Sequence, residues 1–300
     1  MTPAVSVVLP VYNGMAYLRE AVRSVVQQTC RSWELVVVDD GSTDGAAEWV
    51  SSVADDRVRV VVEPHTGNLS HVRNVGIASS AGRWVAFLDA DDVWLPHKLE
   101  RQLAFHAANP DVRWSYTGRI LIDAGGNRMS ERDGTWNAID GWILPHLLVH
   151  RAAIASPTMM IERALLQEIG ALDERFYYAG DYELRVRLAV HARCGVVDEP
   201  LAMIRQHRAS RTTGRPEATL ALARVYREFR ERAPSPETAL LCRQQEAVFR
   251  LKASRRYFGR GEWSAGWRTL AGLWRNAPFD RRVYRMAVHG AMQMVRSLRR

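Results

Sequence analysis

Trp84-Val85-Ala86-Phe87-Leu88-Asp89-Ala90-Asp91-Asp92 carries five apolar residues directly into a cluster of carboxylates. A short apolar run that stops abruptly at acidic residues reads as a strand buried on both faces, with its carboxyl end opening at a polar edge. The same pattern recurs upstream. Val5 to Leu9 leads into Pro10-Val11-Tyr12-Asn13, Leu35 to Val38 leads into Asp39-Asp40-Gly41-Ser42, and Val58 to Val62 forms a further run. Helical spacing fills the intervals. Ala16 to Gln28 places Leu18, Val22, Val25 and Val26 on one face, Gly45 to Val53 follows Ser42-Thr43-Asp44 as a capping region, and Leu69 to Ala78 precedes the turn at Gly82. Strands and helices alternating through the first hundred residues predict an α/β fold with a mostly parallel sheet. In such sheets ligands bind outside the carboxyl ends of the strands, which makes the polar residues there the candidate functional groups.

The composition agrees with a folded domain. The 300 residues are 47% hydrophobic and 25% charged, which excludes disordered, collagen-like and disulfide-scaffold classes. Cys30, Cys194 and Cys242 are too widely spaced for a zinc ribbon or a C-x-x-C pair. With no basic leader before Pro10 and no apolar run of membrane-spanning length, the sequence predicts a cytoplasmic protein without its own anchor. The net charge of +8 is uneven: residues 215–300 hold 19 basic and seven acidic residues, leaving residues 1–214 mildly acidic. A basic tail on an acidic body suits either an anionic membrane surface or a set of solvated helix faces. Nucleic acid is excluded as the expected partner, because no helix-turn-helix or RNP segment accompanies the charge.

The familiar nucleotide fingerprints are missing. The first turn, Tyr12-Asn13-Gly14-Met15, lacks G-x-G-x-x-G, and no G-x-x-x-x-G-K-[ST] occurs, which disfavours a dehydrogenase or a P-loop ATPase. Asp89 and Asp91, two apart at a strand end, point to the same side in extended geometry. Two hard oxygen donors side by side suit Mg²⁺ or Mn²⁺ with diphosphate oxygens and water completing the shell. An isolated D-x-D is more often a solvated acidic loop, and here its context favours the metal-binding reading. An EF-hand is excluded because Trp94 stands where that loop requires glycine.

Read in order, the motifs Val8-Leu9-Pro10-Val11-Tyr12-Asn13, Val37-Val38-Asp39-Asp40-Gly41-Ser42-Thr43-Asp44, Arg73-Asn74-Val75-Gly76 and Phe87-Leu88-Asp89-Ala90-Asp91-Asp92 resemble an inverting family 2 glycosyltransferase of the GT-A fold. The resemblance covers roughly residues 4–210, continuing through Gly170-Ala171-Leu172-Asp173-Glu174-Arg175-Phe176 to Gly180-Asp181-Tyr182-Glu183-Leu184-Arg185. It implies a Rossmann-like sheet with a nucleotide-sugar half at about 1–100 and an acceptor half at about 101–214, followed by an α-helical tail over 215–300. It also implies a nucleotide-diphosphate sugar as donor, a UDP-sugar first, and a glycan or lipid-linked acceptor in cell-surface polysaccharide synthesis. Pro10, Val11, Tyr12 and Asn13 would shape the base pocket, and one of Asp39 and Asp40 would contact the base. Arg73 and Asn74 would lie near ribose or phosphates, with Arg73 alternatively a plain surface residue, and Asp89 and Ala90 would meet the donor. Asp91, Asp89 and His207 form the expected metal set, with a structural histidine as the alternative for His207.

The resemblance places the general base at Asp181, although the family's pattern often has Glu where this chain has Gly180. An ordinary helix N-cap is the competing reading of Asp181. Trp94, Glu183 and Arg205 are the expected acceptor-side residues, Trp94 by stacking on a sugar ahead of Trp114, Trp136 and Trp142. Glu183 would be swung about 200° around the helix axis from Asp181. In the tail, Ala253 to Pro278 predicts a helical hairpin with one tetratricopeptide-like unit. Residues 281–300 interleave Val283, Met286, Ala287, Met292, Met294 and Val295 with six arginines, as a helix lying on a membrane or packing through the same apolar face would. Two function classes follow: a metal-dependent transferase at the inner face of the membrane, or a catalytically inactive sugar-nucleotide-binding protein recruited to an anionic membrane by its basic tail.

Overall fold

A computed structural model describes residues 2–129, 137–207, 214–276 and 281–298. The chain forms two compact units, Met1–Arg208 and Ala209–Arg300.

The first unit opens with β1 (Val5–Val11), α1 (Met15–Val26), β2 (Trp33–Asp39), α2 (Ala46–Ser51), β3 (Val58–Val62), α3 (Leu69–Ala78) and β4 (Trp84–Phe87). Every residue of β1 is buried, as a strand covered by helices on both faces requires. Its one hydroxyl is satisfied: Ser6 Oγ donates to Glu34 Oε1 at 2.5 Å and accepts from the Gly82 amide at 2.8 Å. These four strands pair in parallel in the order β3-β2-β1-β4, with Val11 opposite Asp39 and Val5 opposite Trp84. Helix α3 spans the predicted residues, whereas α1 stops at Val26 because Gln28 turns into the core, where its amide donates to Ser24 and Leu95 carbonyls and accepts from the Leu99 amide.

The rest of this unit contains β5 (Val93–Trp94), α4 (Lys98–Ala108), β6 (Trp114–Ile122), α5 (Leu144–Leu148), a 3-10 turn (Ser156–Thr158), β7 (Met159–Glu162), α6 (Arg163–Ile169), α7 (Gly180–His191) and β8 (Cys194–Arg205). They extend the sheet to eight strands, β3-β2-β1-β4-β7-β6-β8-β5. The parallel order ends at β4: β7 is antiparallel to both β4 and β6, and β5 is antiparallel to β8. Thus the strand ends that carry Asn13, Asp39 and Asp89 belong to the parallel half, and the second half supplies Asp181 and His207.

Close helix packing brings α3 onto this edge. A Cβ at Gly76 would fall 2.3 Å from Val8 Cγ1 and 3.3 Å from Val38 Cγ2, so only glycine lets α3 lie directly on β1 and β2. Gly76→Ala is expected to cost about 1–3 kcal/mol through overpacking. Urea denaturation checks this, and an unchanged midpoint would show that the helix can retreat without penalty.

The second unit is helical among the described residues: α8 (Pro216–Arg230), α9 (Pro236–Gly259), α10 (Trp263–Asn276) and α11 (Arg281–Leu298). Pro216 and Pro236 start the first two at positions that need no amide hydrogen bond, and Ser235 caps α9 by accepting from the Thr238 amide. Helices α9 and α10 form the hairpin, turning through Gly261 at φ 76°. Ala247, Leu251, Leu270 and Leu273 make its core, and Met286 and Ala287 of α11 pack against it. Met292 and Met294 are exposed, while Pro278 and the side chains of Val283 and Val295 lie outside the described residues. No helix among the described residues is long and apolar enough to cross a membrane.

Candidate active site

At the ends of β1 and β2 two loops are lashed together. Asn13 holds φ at 47°, its Oδ1 accepts from the Thr43 amide at 2.8 Å, and its own amide donates to Ser42 Oγ at 2.9 Å. Asp44 Oδ2 accepts from the Met15 amide at 2.8 Å, so the β2 loop supplies an anion to the first turn of α1. Asn13 is thereby committed to holding the edge together. Pro10 and Val11 are buried within β1, and the half-exposed Tyr12 ring stacks on His65 with centroids 3.9 Å apart.

The adjacent carboxylates of Asp39 and Asp40 differ sharply. Asp40 Oδ1 accepts from the amide and the hydroxyl of Thr66 at 2.8 and 2.9 Å, and Oδ2 accepts from the Gly67 amide at 2.8 Å with His65 Nδ1 at 3.0 Å. Those bonds tie the loop after β3 to the end of β2. Asp39 Oδ2 accepts from the Ser42 amide at 3.1 Å, but Oδ1 is buried without a hydrogen-bond partner among the described residues. A buried carboxylate oxygen left bare is costly unless a ligand supplies the donor.

Arg73, on α3, is 1% exposed and its guanidinium bridges two carboxylates. Nη2 donates to Asp89 Oδ1 at 2.5 Å, and Nη1 donates to Asp181 Oδ1. Burial opposes its charge, but Asp181 and Asp89 more than offset that and hold the guanidinium above its ordinary value. The surface alternative for Arg73 is therefore corrected: it is the buried link between the donor-side and acceptor-side carboxylates. Asn74 is also corrected. Its amide donates to Leu172 O and Glu174 Oε1, both at 2.9 Å, and accepts from the Leu172 amide at 3.0 Å, so it staples α3 to the loop leading to α7.

Asp181 lies in the first turn of α7, whose N-cap is Ala179. Its carboxylate is turned away from capping: Arg73 holds Oδ1 and Ser156 Oγ donates to Oδ2 at 2.8 Å. The cap reading gives way to a positioned carboxylate about one-third exposed. Glycine precedes it because a Cβ at Gly180 would fall 2.2 Å from Ser70 Oγ of α3.

Beyond β4, Asp91 Oδ2 lies 2.8 Å from His207 Nε2, whereas Asp89 is drawn to Arg73. The structure thus brings Asp91 and His207 together, with Asp89 held by Arg73; among the described residues no group of three or more His, Cys, Asp or Glu forms a metal cage. A carboxylate and an imidazole nevertheless suit Mn²⁺ or Mg²⁺ when phosphate oxygens and water complete the shell. Asp92 is buried behind them, accepting from the Arg205 amide at 2.8 Å. Burial, then the neighbouring Asp89 and Asp91 charges, push its carboxyl well above the usual carboxylate range. Ala90 lies between them against Gly14, whose added Cβ would come within 3.5 Å of the Ala90 Cβ.

The three acceptor-side expectations are corrected. Trp94 is 2% exposed in the core, with Nε1 donating to Pro157 O at 2.8 Å, so its ring faces no sugar. Glu183 is buried in a two-bond pair with Arg187, each bond 2.6 Å. Arg205 is buried behind the D-x-D segment: it donates to Asp91 O at 2.8 Å, Ala124 O at 3.1 Å and Glu20 Oε2 at 2.6 Å. It braces that segment and reaches no acceptor. Trp114 is wholly buried, Trp142 is 61% exposed, and Trp136 lies outside the described residues.

Sequence reasoning missed His65, Thr66 and Gly67, which the rule of reading past each apolar run would have found beyond Val62. It also missed Ser156, for which no local signal exists.

The glycosyl transferase family 2 pattern matches residues 6–170. The UDP-Glc:alpha-D-GlcNAc-diphosphoundecaprenol beta-1,3-glucosyltransferase WfgD of Escherichia coli is 28% identical over 165 residues, 54% of this chain and 61% of the relative. The chain spans less than two thirds of the length of the curated relatives it resembles, 33% in a Rickettsia felis glycosyltransferase and 20% in a Sinorhizobium fredii protein. Two solved structures share the fold. TarS of S. aureus in complex with UDP-GlcNAc superposes with a TM-score of 0.62 at 21% identity, covering 85% of this chain and 72% of that one. The mannosyltransferase PcManGT of Pyrobaculum calidifontis in complex with GDP-Man and Mn²⁺ gives 0.63 at 18% identity, covering 98% and 81%.

Proposed function

Because the chain belongs to glycosyl transferase family 2, we propose that it is a metal-dependent inverting enzyme that moves a sugar from a UDP-sugar to a hydroxyl of a glycan or lipid-linked acceptor in cell-surface polysaccharide synthesis. The observation that carries this is the Asp89–Arg73–Asp181 bridge. One guanidinium joins a carboxylate at the donor-side strand end to a second carboxylate on the acceptor-side helix, which brings the donor and acceptor sides of the reaction to one place. The acceptor oxygen attacks that carbon, its proton passes to Asp181, and the bond to the diphosphate breaks as the new glycosidic bond forms. Single displacement inverts the anomeric configuration.

Asp39 Oδ1 supplies the acceptor for an imide N–H of the base, a charge-assisted bond, and Tyr12 with His65 offers an aromatic surface beside it. Asp40 is the structural partner of the pair. Asp91 and His207 would hold the divalent ion, with the Asp89 carboxylate on Arg73 beside them. Such an ion supplies charge stabilisation of the departing diphosphate. The names of the relatives, one acting on an undecaprenol-linked sugar and one structure holding UDP-GlcNAc, support this donor and acceptor class.

Titration calorimetry with UDP, GDP and dTDP, with and without Mn²⁺, tests the assignment. UDP is expected to bind only with the metal, and Asp91→Ala to lower that affinity at least tenfold. Failure of all three nucleotides to bind under either condition refutes the donor site.

A further inference from the structure

We infer that Ser156 is the positioning residue of Asp181, and that the buried framework around the 3-10 turn at Ser156–Thr158 exists to hold its hydroxyl at that carboxylate. This rests on the proposed role of Asp181 as the base.

A carboxylate rotates readily about its terminal torsion, whose energy profile is broad and two-fold. A base must nonetheless keep one lone pair aimed at the acceptor hydroxyl throughout the reaction. Arg73 bonds one oxygen of Asp181, Oδ1. The Ser156 hydroxyl, donating to Oδ2 at 2.8 Å, supplies the second point and fixes the carboxylate plane.

The surroundings of Ser156 are built far beyond what a surface loop needs. Its flanking carbonyls are each engaged by a side chain: Ile154 O by Arg185 Nη1 at 2.7 Å, Pro157 O by Trp94 Nε1 at 2.8 Å, and Thr158 O by Gln102 Nε2 at 3.2 Å. Gln102 is itself oriented by the buried Lys98, whose ammonium donates to Oε1 at 2.6 Å and lies 4.1 Å from the Trp94 ring centroid. Burying such polar groups costs stability unless they are hydrogen-bonded, and here the chain of bonds runs from Lys98 through Gln102 to the Thr158 carbonyl. Arg185 stands one turn after Asp181 on α7, so the same helix that carries the base also grips the segment that carries Ser156. The Trp94 and Gln102 side chains thus act on the reaction through Ser156, while the serine itself is 5% exposed and reaches the reaction only through Asp181.

The test compares Ser156→Ala and Ser156→Thr with the parent protein in two ways. In crystals of Ser156→Ala the Asp181 carboxylate is expected to rotate out of its present plane with α7 unmoved, and in Ser156→Thr to keep it. Nucleoside diphosphate release from UDP-glucose, UDP-GlcNAc or GDP-mannose, with water as acceptor, is expected to show kcat lowered about tenfold to a hundredfold in Ser156→Ala. The donor KM should stay within twofold, and Ser156→Thr should recover most of the turnover. A kcat equal to that of the parent, or an Asp181 carboxylate that stays in place without the hydroxyl, overturns the inference. If the parent protein binds and turns over none of the three donors, the transferase reading fails instead, and the crystal comparison alone decides the positioning role.

Discussion

Asp181→Asn is expected to lower turnover by about 10²–10⁴-fold, the usual contribution of a general base, while leaving nucleotide affinity unchanged. The amide is nearly isosteric. Its oxygen can still accept from Arg73, and its NH₂ can donate to Ser156 Oγ, which switches from donor to acceptor. What the substitution removes is the capacity to take a proton. Steady-state kinetics beside calorimetry on the same variant separates the two effects. Turnover within threefold of the parent would remove Asp181 from the chemistry and return the search to the carboxylates of the D-x-D segment.

Asp39→Ala is expected to weaken nucleotide binding about tenfold to a hundredfold, because a hydrogen bond to a charged group contributes roughly 1.5–3 kcal/mol. The adjacent Asp40→Ala should do something different. Asp40 accepts from both amides and the hydroxyl of the Thr66–Gly67 segment, so its loss leaves those donors unsatisfied at a cost of about 1–3 kcal/mol in folding stability. Calorimetry and denaturation on the two variants make a direct contrast. Equal effects on nucleotide affinity, or an Asp39→Ala that binds UDP as the parent does, would show that the bare Oδ1 oxygen is not the base contact.

The parallel half of the fold was legible element by element, though α1 and α2 end before their expected residues. Continuous apolar runs can be buried only as strands covered on both faces, and helical spacing between them leaves a crossover as the simple connection, so α3 fell on its predicted residues. Carboxylates at the ends of those strands were visible for the same reason, since strand ends are set by local pattern. The mixed pairing of the second half was not legible. Antiparallel insertion of β7 between β4 and β6 depends on partners far apart in the chain, and neither the apolar pattern of Met159–Glu162 nor its length specifies a neighbour.

The site divides along the same line. By itself the sequence determined which residue types stand at each strand end, because alternation of strand and helix is written in short-range periodicity. Only the tertiary structure decided what each group does. Trp94 stands three residues after the D-x-D, yet a partner 63 residues away draws its ring into the core. Asp39 and Asp40 are neighbours of identical chemistry, and the return of residues 65–67 across the sheet edge satisfies one and leaves the other bare. Arg73 and Asp181 are 108 residues apart, so no local pattern could announce their pairing. A side chain's partners, and hence its charge, orientation and access, are set by whatever the fold brings within hydrogen-bonding reach, and that information is spread over the whole chain.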